Sequence, residues 1–150
     1  MAVDIWLNQS YQLIAGAELY CSPRSFRVWS YDPTFGRLLL RNTPSPQGRH
    51  DGIRVDIMFQ SVRAMKLRDN YQGLRITCAT QDERERIRTE SPQTTHLSTF
   101  RDDHRDRFLV LQSGAGFDYV VAGAVGWRED RAPLGWPSSF VAPVPTPSVR

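Results

Sequence analysis

The sequence predicts an all-β fold, or α+β once one short helix near residues 81–90 is counted, arranged as a single antiparallel barrel or sandwich of about seven to nine strands. Apolar residues recur in short runs with a period of two, the spacing that sends alternate side chains to opposite faces of a strand. Turn-forming residues break those runs. The positions between them draw on 18 Arg and one Lys, Lys66, which predicts an arginine-studded outer surface. At 150 residues, the chain matches one domain with a sizeable core.

Residues 3–7 and 13–21 read as strands, the second with Ala17, Leu19 and Cys21 on one face and Glu18 and Tyr20 on the other. Ser22 and Pro23 stop it. Residues 26–31 and 37–41 flank Asp32-Pro33-Thr34-Phe35-Gly36, the strongest hairpin signal in the chain: Asp opens a type I turn, Pro fixes the next φ, and Gly accepts a left-handed position. A loop over 42–52 leads into Ile53, Val55, Ile57 and Phe59, which alternate with Arg54, Asp56, Met58 and Gln60. That pattern predicts one core face and one mostly wet face. The phase slips after Phe59, predicting a turn or bulge near Gln60-Ser61. Residues 62–68 then read as a strand rather than a helix, because Asp69-Asn70-Tyr71-Gln72-Gly73 is a turn handing over to Leu74, Ile76 and Cys78. The segments either side of that turn are expected to pair.

Thr80-Gln81-Asp82-Glu83 fits a capping box, so residues 82–90 predict a short helix with Ile87 as its sole sizeable apolar anchor. The region 80–107 as a whole reads as a long polar excursion. Strands resume at 108–111 and 117–125, joined by residues 112–116, and Ala122, Gly123, Ala124 and Gly126 predict a bend in the last strand. Residues 1–130 thus form one β-rich domain. Residues 131–150 hold five of the ten prolines and read as a Pro-rich tail, partly disordered, whose first part Trp136 and Phe140 pin to the domain.

The formal charge of +3 divides unevenly, +4 over residues 1–75 and −1 over residues 76–150. Arginine suits bidentate contacts to carboxylates and phosphates, although GC-rich coding produces the same bias. Cys21 and Cys78 both lie in apolar runs and read as core thiols of a reducing compartment. Asp4, Asn8 and Gln9 break any export signal, and Gln112, Ser113 and Asp118 spoil the longest weakly polar stretch as a membrane span. The expectation is a cytoplasmic protein with no membrane contact.

No motif carries a reaction. Gly114-Ala115-Gly116 resembles a dinucleotide-binding turn, but Tyr119 occupies the third glycine position and the residues after it favour a strand. His96, Asp102, Asp103, His104 and Asp106 are metal-capable, yet Arg101, Arg105 and Arg107 are interleaved and would repel a cation. Ser113 lacks a nucleophile-elbow context and an identifiable His partner. We assign no catalytic residue, metal or cofactor.

Two groups of residues point to binding instead. Arg54, Arg63, Lys66, Arg68 and Arg75 face only Asp56 and Asp69, and the alternation places Lys66, Arg68 and Arg75 on one surface attractive to an acidic partner. Arg27, Trp29 and Tyr31 alternate in the strand before the hairpin, with interface-like composition. The run Asp56-Ile57-Met58-Phe59-Gln60-Ser61-Val62-Arg63-Ala64-Met65-Lys66-Leu67, followed by Gly73-Leu74-Arg75-Ile76, resembles the paired strands of small bacterial β proteins. Some of those serve as immunity or accessory proteins, and the resemblance carries over no functional residue. The expected function is a noncatalytic binding protein that docks an acidic protein partner through an Arg/aromatic strand face, in an immunity or accessory role. A small nucleic-acid-binding β-barrel is the first alternative, and a small enzyme or ligand carrier using the barrel mouth the second.

Overall fold

The turn Asp32–Gly36 forms as its chemistry predicts. In a computed structural model that describes residues 3–6, 14–44, 51–96 and 107–140 (backbone alone for 3–6 and His96), it joins β2 (Glu18–Asp32) to β3 (Arg37–Asn42). The Asp32 carboxylate accepts from the Thr34 N–H at 2.9 Å, and Gly36 takes φ = 61°, a conformation that costs L-residues with a Cβ. The Val62 N–H donates to the Gly36 carbonyl at 2.9 Å, so the hairpin tip is tied to the next bend of the chain.

The remaining strands are β1 (Val3–Trp6), β4 (Arg54–Gln60), β5 (Ala64–Lys66), β6 (Asn70–Cys78), β7 (Arg107–Gln112), β8 (Asp118–Ala122) and β9 (Ala124–Asp130). Among the described residues, all pairings are antiparallel, and the nine strands make one sheet in the order β1-β9-β4-β3-β2-β6-β7-β8-β5. The order is open, but the sheet curls: β4 continues into β5 and β8 into β9, and these two bent arms pair along both halves. The bends face each other, with Ser61 at φ = 54° and the Gly123 N–H donating to the Gln60 carbonyl at 2.8 Å. The architecture is therefore all-β and barrel- or sandwich-like, with one short helix.

Curling puts Phe26, Leu38, Leu40, Val55, Ile57, Phe59, Tyr71, Leu74, Ile76, Leu109, Leu111, Val120 and Val125 into one filled interior. The helix α1 (Gln81–Glu90) covers part of the outer face. Its capping box is complete, Thr80 Oγ1 accepting from the Glu83 N–H at 3.2 Å and Glu83 Oε1 from the Thr80 N–H at 2.9 Å. Ile87 is its buried anchor, packed in a second cluster with Ala79, Phe108, Val110, Tyr119 and Val121.

Several expectations need correction. Ser22 and Pro23 do not stop a strand: β2 runs through them, because register shifts between Ser22 and Ser25 absorb a residue that cannot donate to the ladder. Residues 64–66 pair with β8 and not with β6, which lies between β2 and β7. Cys21 is exposed rather than a core thiol, while Cys78 is buried. The "wet" face of β4 is not wet, since Arg54, Asp56 and Met58 are as buried as their core-facing neighbours.

Two measurements check this frame. Replacing Gly36 with Ala forces a Cβ to within 3.0 Å of the Val62 nitrogen at a positive φ. We expect urea unfolding to show a loss of about 1–3 kcal/mol at unchanged m-value. Burial raises the Cys78 thiol pKa, so a maleimide should label Cys21 in the native protein and Cys78 only after unfolding.

Candidate functional site

Antiparallel pairing of β4 with β9 brings two Arg-x-Asp sequences together, Arg54-Val55-Asp56 and Arg128-Glu129-Asp130, with Arg54 opposite Asp130 and Asp56 opposite Arg128. On the other side of β4, Arg41 of β3 stands opposite Asp56. Because directly opposed residues share a face, these charges all lie on the outside of the curled sheet. Two of them nevertheless have no access to water: Arg41 and Arg54 are each 0% exposed.

Arg41 binds Asp56 through Nε at 2.6 Å and Nη2 at 2.9 Å. Arg54 binds Asp130 the same way, at 2.9 Å for both contacts. These fork-on-fork pairs leave each guanidinium one further nitrogen, and both point at residues 131–140, a strap that crosses the face after β9. Arg41 Nη1 donates to the carbonyls of Leu134 at 2.5 Å and Trp136 at 3.0 Å. Arg54 Nη1 donates to those of Pro133 at 3.3 Å and Trp136 at 2.9 Å. The Trp136 carbonyl is thus held by both arginines.

The strap can present its carbonyls this way because it turns. The Trp136 N–H donates back to the Pro133 carbonyl at 3.0 Å around Leu134 and Gly135. Its ends are fastened as well: Asp130 accepts from the Ala132 N–H at 3.0 Å and from Ser139 Oγ at 3.1 Å, and Arg128 donates to the Ser139 carbonyl and lies over the Phe140 ring. The expected pin by Phe140 is therefore present, but main-chain carbonyls carry most of the attachment. Burial alone would raise the Asp130 pKa. Arg54, the Ala132 N–H and Ser139 outweigh it and hold the carboxyl below its ordinary value.

Between the strap and the end of the β2–β3 hairpin lies a cleft of about 390 Å³, lined by Trp29, Asp32, Arg37, Leu39, Met58 and Trp136 among others. Trp29 and Trp136 are 41% and 47% exposed. Trp29 also lies over the Arg41 guanidinium at 4.7 Å, capping the buried pair from above. Phe35 and Tyr31 are exposed nearby in sequence, with Arg37 over the Phe35 ring.

Of the residues singled out in the sequence, Arg27 and Trp29 lie on this side of β2. Tyr31 does not share their face. A bulge at Trp29 shifts the register between Val28 and Ser30, so Tyr31 comes opposite the core residue Leu38 while Arg27 comes opposite Arg41. Lys66, Arg68 and Arg75 are exposed, but each faces its own carboxylate: Glu90 at 3.4 Å, Asp118 at 2.9 Å and Glu18 at 2.7 Å. Arg54, placed with them by sequence, is buried in the strap contact. Arg27 is exposed and has no hydrogen-bond or ion-pair partner among the described residues.

The other sequence candidates give less. The metal-capable residues Asp102, Asp103, His104 and Asp106 lie outside the described residues, as does the side chain of His96, and among the described residues no group of three or more His, Cys, Asp or Glu is placed to hold a metal. Gly114–Gly116 lies between β7 and β8 of a hairpin, followed by a strand where a dinucleotide turn needs a helix. A second cleft of about 420 Å³, lined by Glu18, Tyr20, Cys21, Arg24, Trp127 and Glu129 among others, opens at another part of the sheet. Among the described residues, no helix is long and apolar enough to cross a membrane. Neither family profiles, curated proteins nor solved structures match the chain significantly, so its function is argued from geometry.

The buried pair sets two expectations. Asp56→Ala strands Arg41 without its counter-ion and should cost about 3–5 kcal/mol in denaturant unfolding, whereas Arg41→Met combined with Asp56→Leu should cost less than that single change. Because the folded Asp130 pKa is depressed, its contribution is fully present above the unfolded value and is lost as pH falls through the lower folded one. An acid titration should therefore release the strap only below pH 3.8, and Asp130→Asn should remove that part of the pH dependence.

Proposed function

We propose that this is a noncatalytic binding protein that docks an acidic protein segment on the outer face of β2, beside the cleft between Trp29 and Trp136. The observation that supports it is Arg27. It stands directly opposite Arg41 in the ladder, and like charges so placed repel. Arg41 is neutralised by Asp56, and Arg27 has no ion-pair partner among the described residues. A carboxylate supplied by a partner would complete the row, and the exposed Trp29 ring next to it offers the apolar anchor that such contacts use. Exposed tryptophan flanked by arginine is the composition of interface centres rather than of ordinary solvent-facing strands.

Lys66, Arg68 and Arg75 play a lesser part in this reading. Each is already paired within the chain, so a partner's carboxylate would have to compete with a local one. The docking surface centres on Arg27, Trp29 and Trp136.

A fluorescent glutamate-rich peptide carrying one tyrosine, and its lysine-rich counterpart, test the proposal by anisotropy. The acidic peptide should bind with an affinity that falls as salt is raised. Arg27→Ala should weaken it about ten-fold or more with the thermal melt unchanged, and Trp29→Ala should weaken it as much while also lowering the melt, because that ring covers Arg41. Equal binding of both peptides, or an unchanged affinity in Arg27→Ala, would refute it.

A further inference from the structure

Arg54 and Asp130 do not line the cleft, yet they determine where one of its walls stands. The wall is Trp136, and its position is set through its own carbonyl. That oxygen receives hydrogen bonds from Arg41 Nη1 at 3.0 Å and Arg54 Nη1 at 2.9 Å. The hydrogen bonds of the two arginines to the strap end on main-chain carbonyls. They hold the carbonyls of Pro133, Leu134 and Trp136, so the strap is attached by a few convergent, charge-assisted bonds to main-chain atoms.

We propose that residues 131–140 act as a latch: when held by Arg41 and Arg54 they carry Trp136 to the docking cleft, and when released they dismantle one wall of it while the sheet stays folded. Arg54 and Asp130 are then positioning residues for partner binding, acting through the strap without touching the partner. This rests on the docking reading above.

The chemistry explains why the sheet survives release. The strap lies outside the filled interior, contributing none of its residues to the main core cluster. Within the strap, Pro133, Gly135, Trp136 and Pro137 are exposed, and Ala132 is buried. Asp130 is the control point because it serves both ends: it binds Arg54 with both oxygens, and it accepts from the Ala132 N–H and Ser139 Oγ. A neutral amide at that position keeps the shape but cannot balance the buried guanidinium. Arg24, Arg131 and Glu129 lie outside this set of contacts, so the balance is local to Arg41, Asp56, Arg54, Arg128 and Asp130.

Hydrogen exchange without any ligand tests the latch, and the glutamate-rich peptide tests its link to docking. In Asp130→Asn, amides in 132–140 should exchange about ten-fold faster or more, while those of β6 and β7 change by less than about two-fold. The same variant should bind the peptide about ten-fold more weakly. Trp136→Ala should weaken binding as much while leaving strap exchange slow. Unchanged strap exchange in Asp130→Asn overturns the latch, as does simultaneous acceleration across the whole sheet. A released strap with full peptide affinity overturns its role in docking. If the unaltered protein fails to bind the peptide, the docking reading fails, and the exchange data still decide whether the latch exists.

Discussion

Two guanidinium groups buried on the outer side of a β-sheet are the constraint around which this molecule is arranged. A charge removed from water must be paired and have its remaining donors satisfied, or the fold loses several kcal/mol to desolvation. Arg41 and Arg54 meet that demand in two steps. Carboxylates on neighbouring strands take two nitrogens from each, and strap carbonyls take the third. Each consequence follows from the other: the strap keeps water from the arginines, and the arginines keep the strap in place. Trp29, stacked over Arg41, closes the remaining side.

Such pairs do not add much stability when compared with apolar residues of the same volume. Their effect here is positional. Hydrophobic contacts would let the strap slide, because apolar attraction has no direction. Four hydrogen bonds ending on three carbonyls fix its register. The same geometry brings Trp136 toward Trp29 and leaves Arg27, one strand further along the ladder, with no counter-ion among the described residues. The proposed docking surface is centred where the charge balance of the face runs out.

Much of the fold was legible in the sequence. Asp32 to Gly36 specified its hairpin because turn chemistry is local, and Thr80 to Glu83 specified a helix start for the same reason. The alternation through Ile57 and Phe59 placed the core correctly. It could not say what covers the other face, since periodicity distinguishes two sides of a strand without saying which meets water. The complementary Arg-x-Asp sequences at 54–56 and 128–130 carried that information, but only once β4 and β9 are known to be antiparallel neighbours. The bulge at Trp29 was hidden because one extra residue leaves no compositional mark, and it moved Tyr31 off the expected face. Pairing partners of Lys66, Arg68 and Arg75 were hidden for a different reason: Glu90, Asp118 and Glu18 are distant in sequence.

The account stands or falls on whether Arg41 and Arg54 are shut away from solvent beneath the strap. Nuclear magnetic resonance of the arginine Nε–H groups measures this directly, with signals assigned by their disappearance in Arg41→Lys and Arg54→Lys. Both should persist at neutral pH long after the Nε–H signals of exposed arginines such as Arg27 have exchanged with water. Exchange of either one as fast as that of Arg27 would show an open face, and with it a strap that nothing holds.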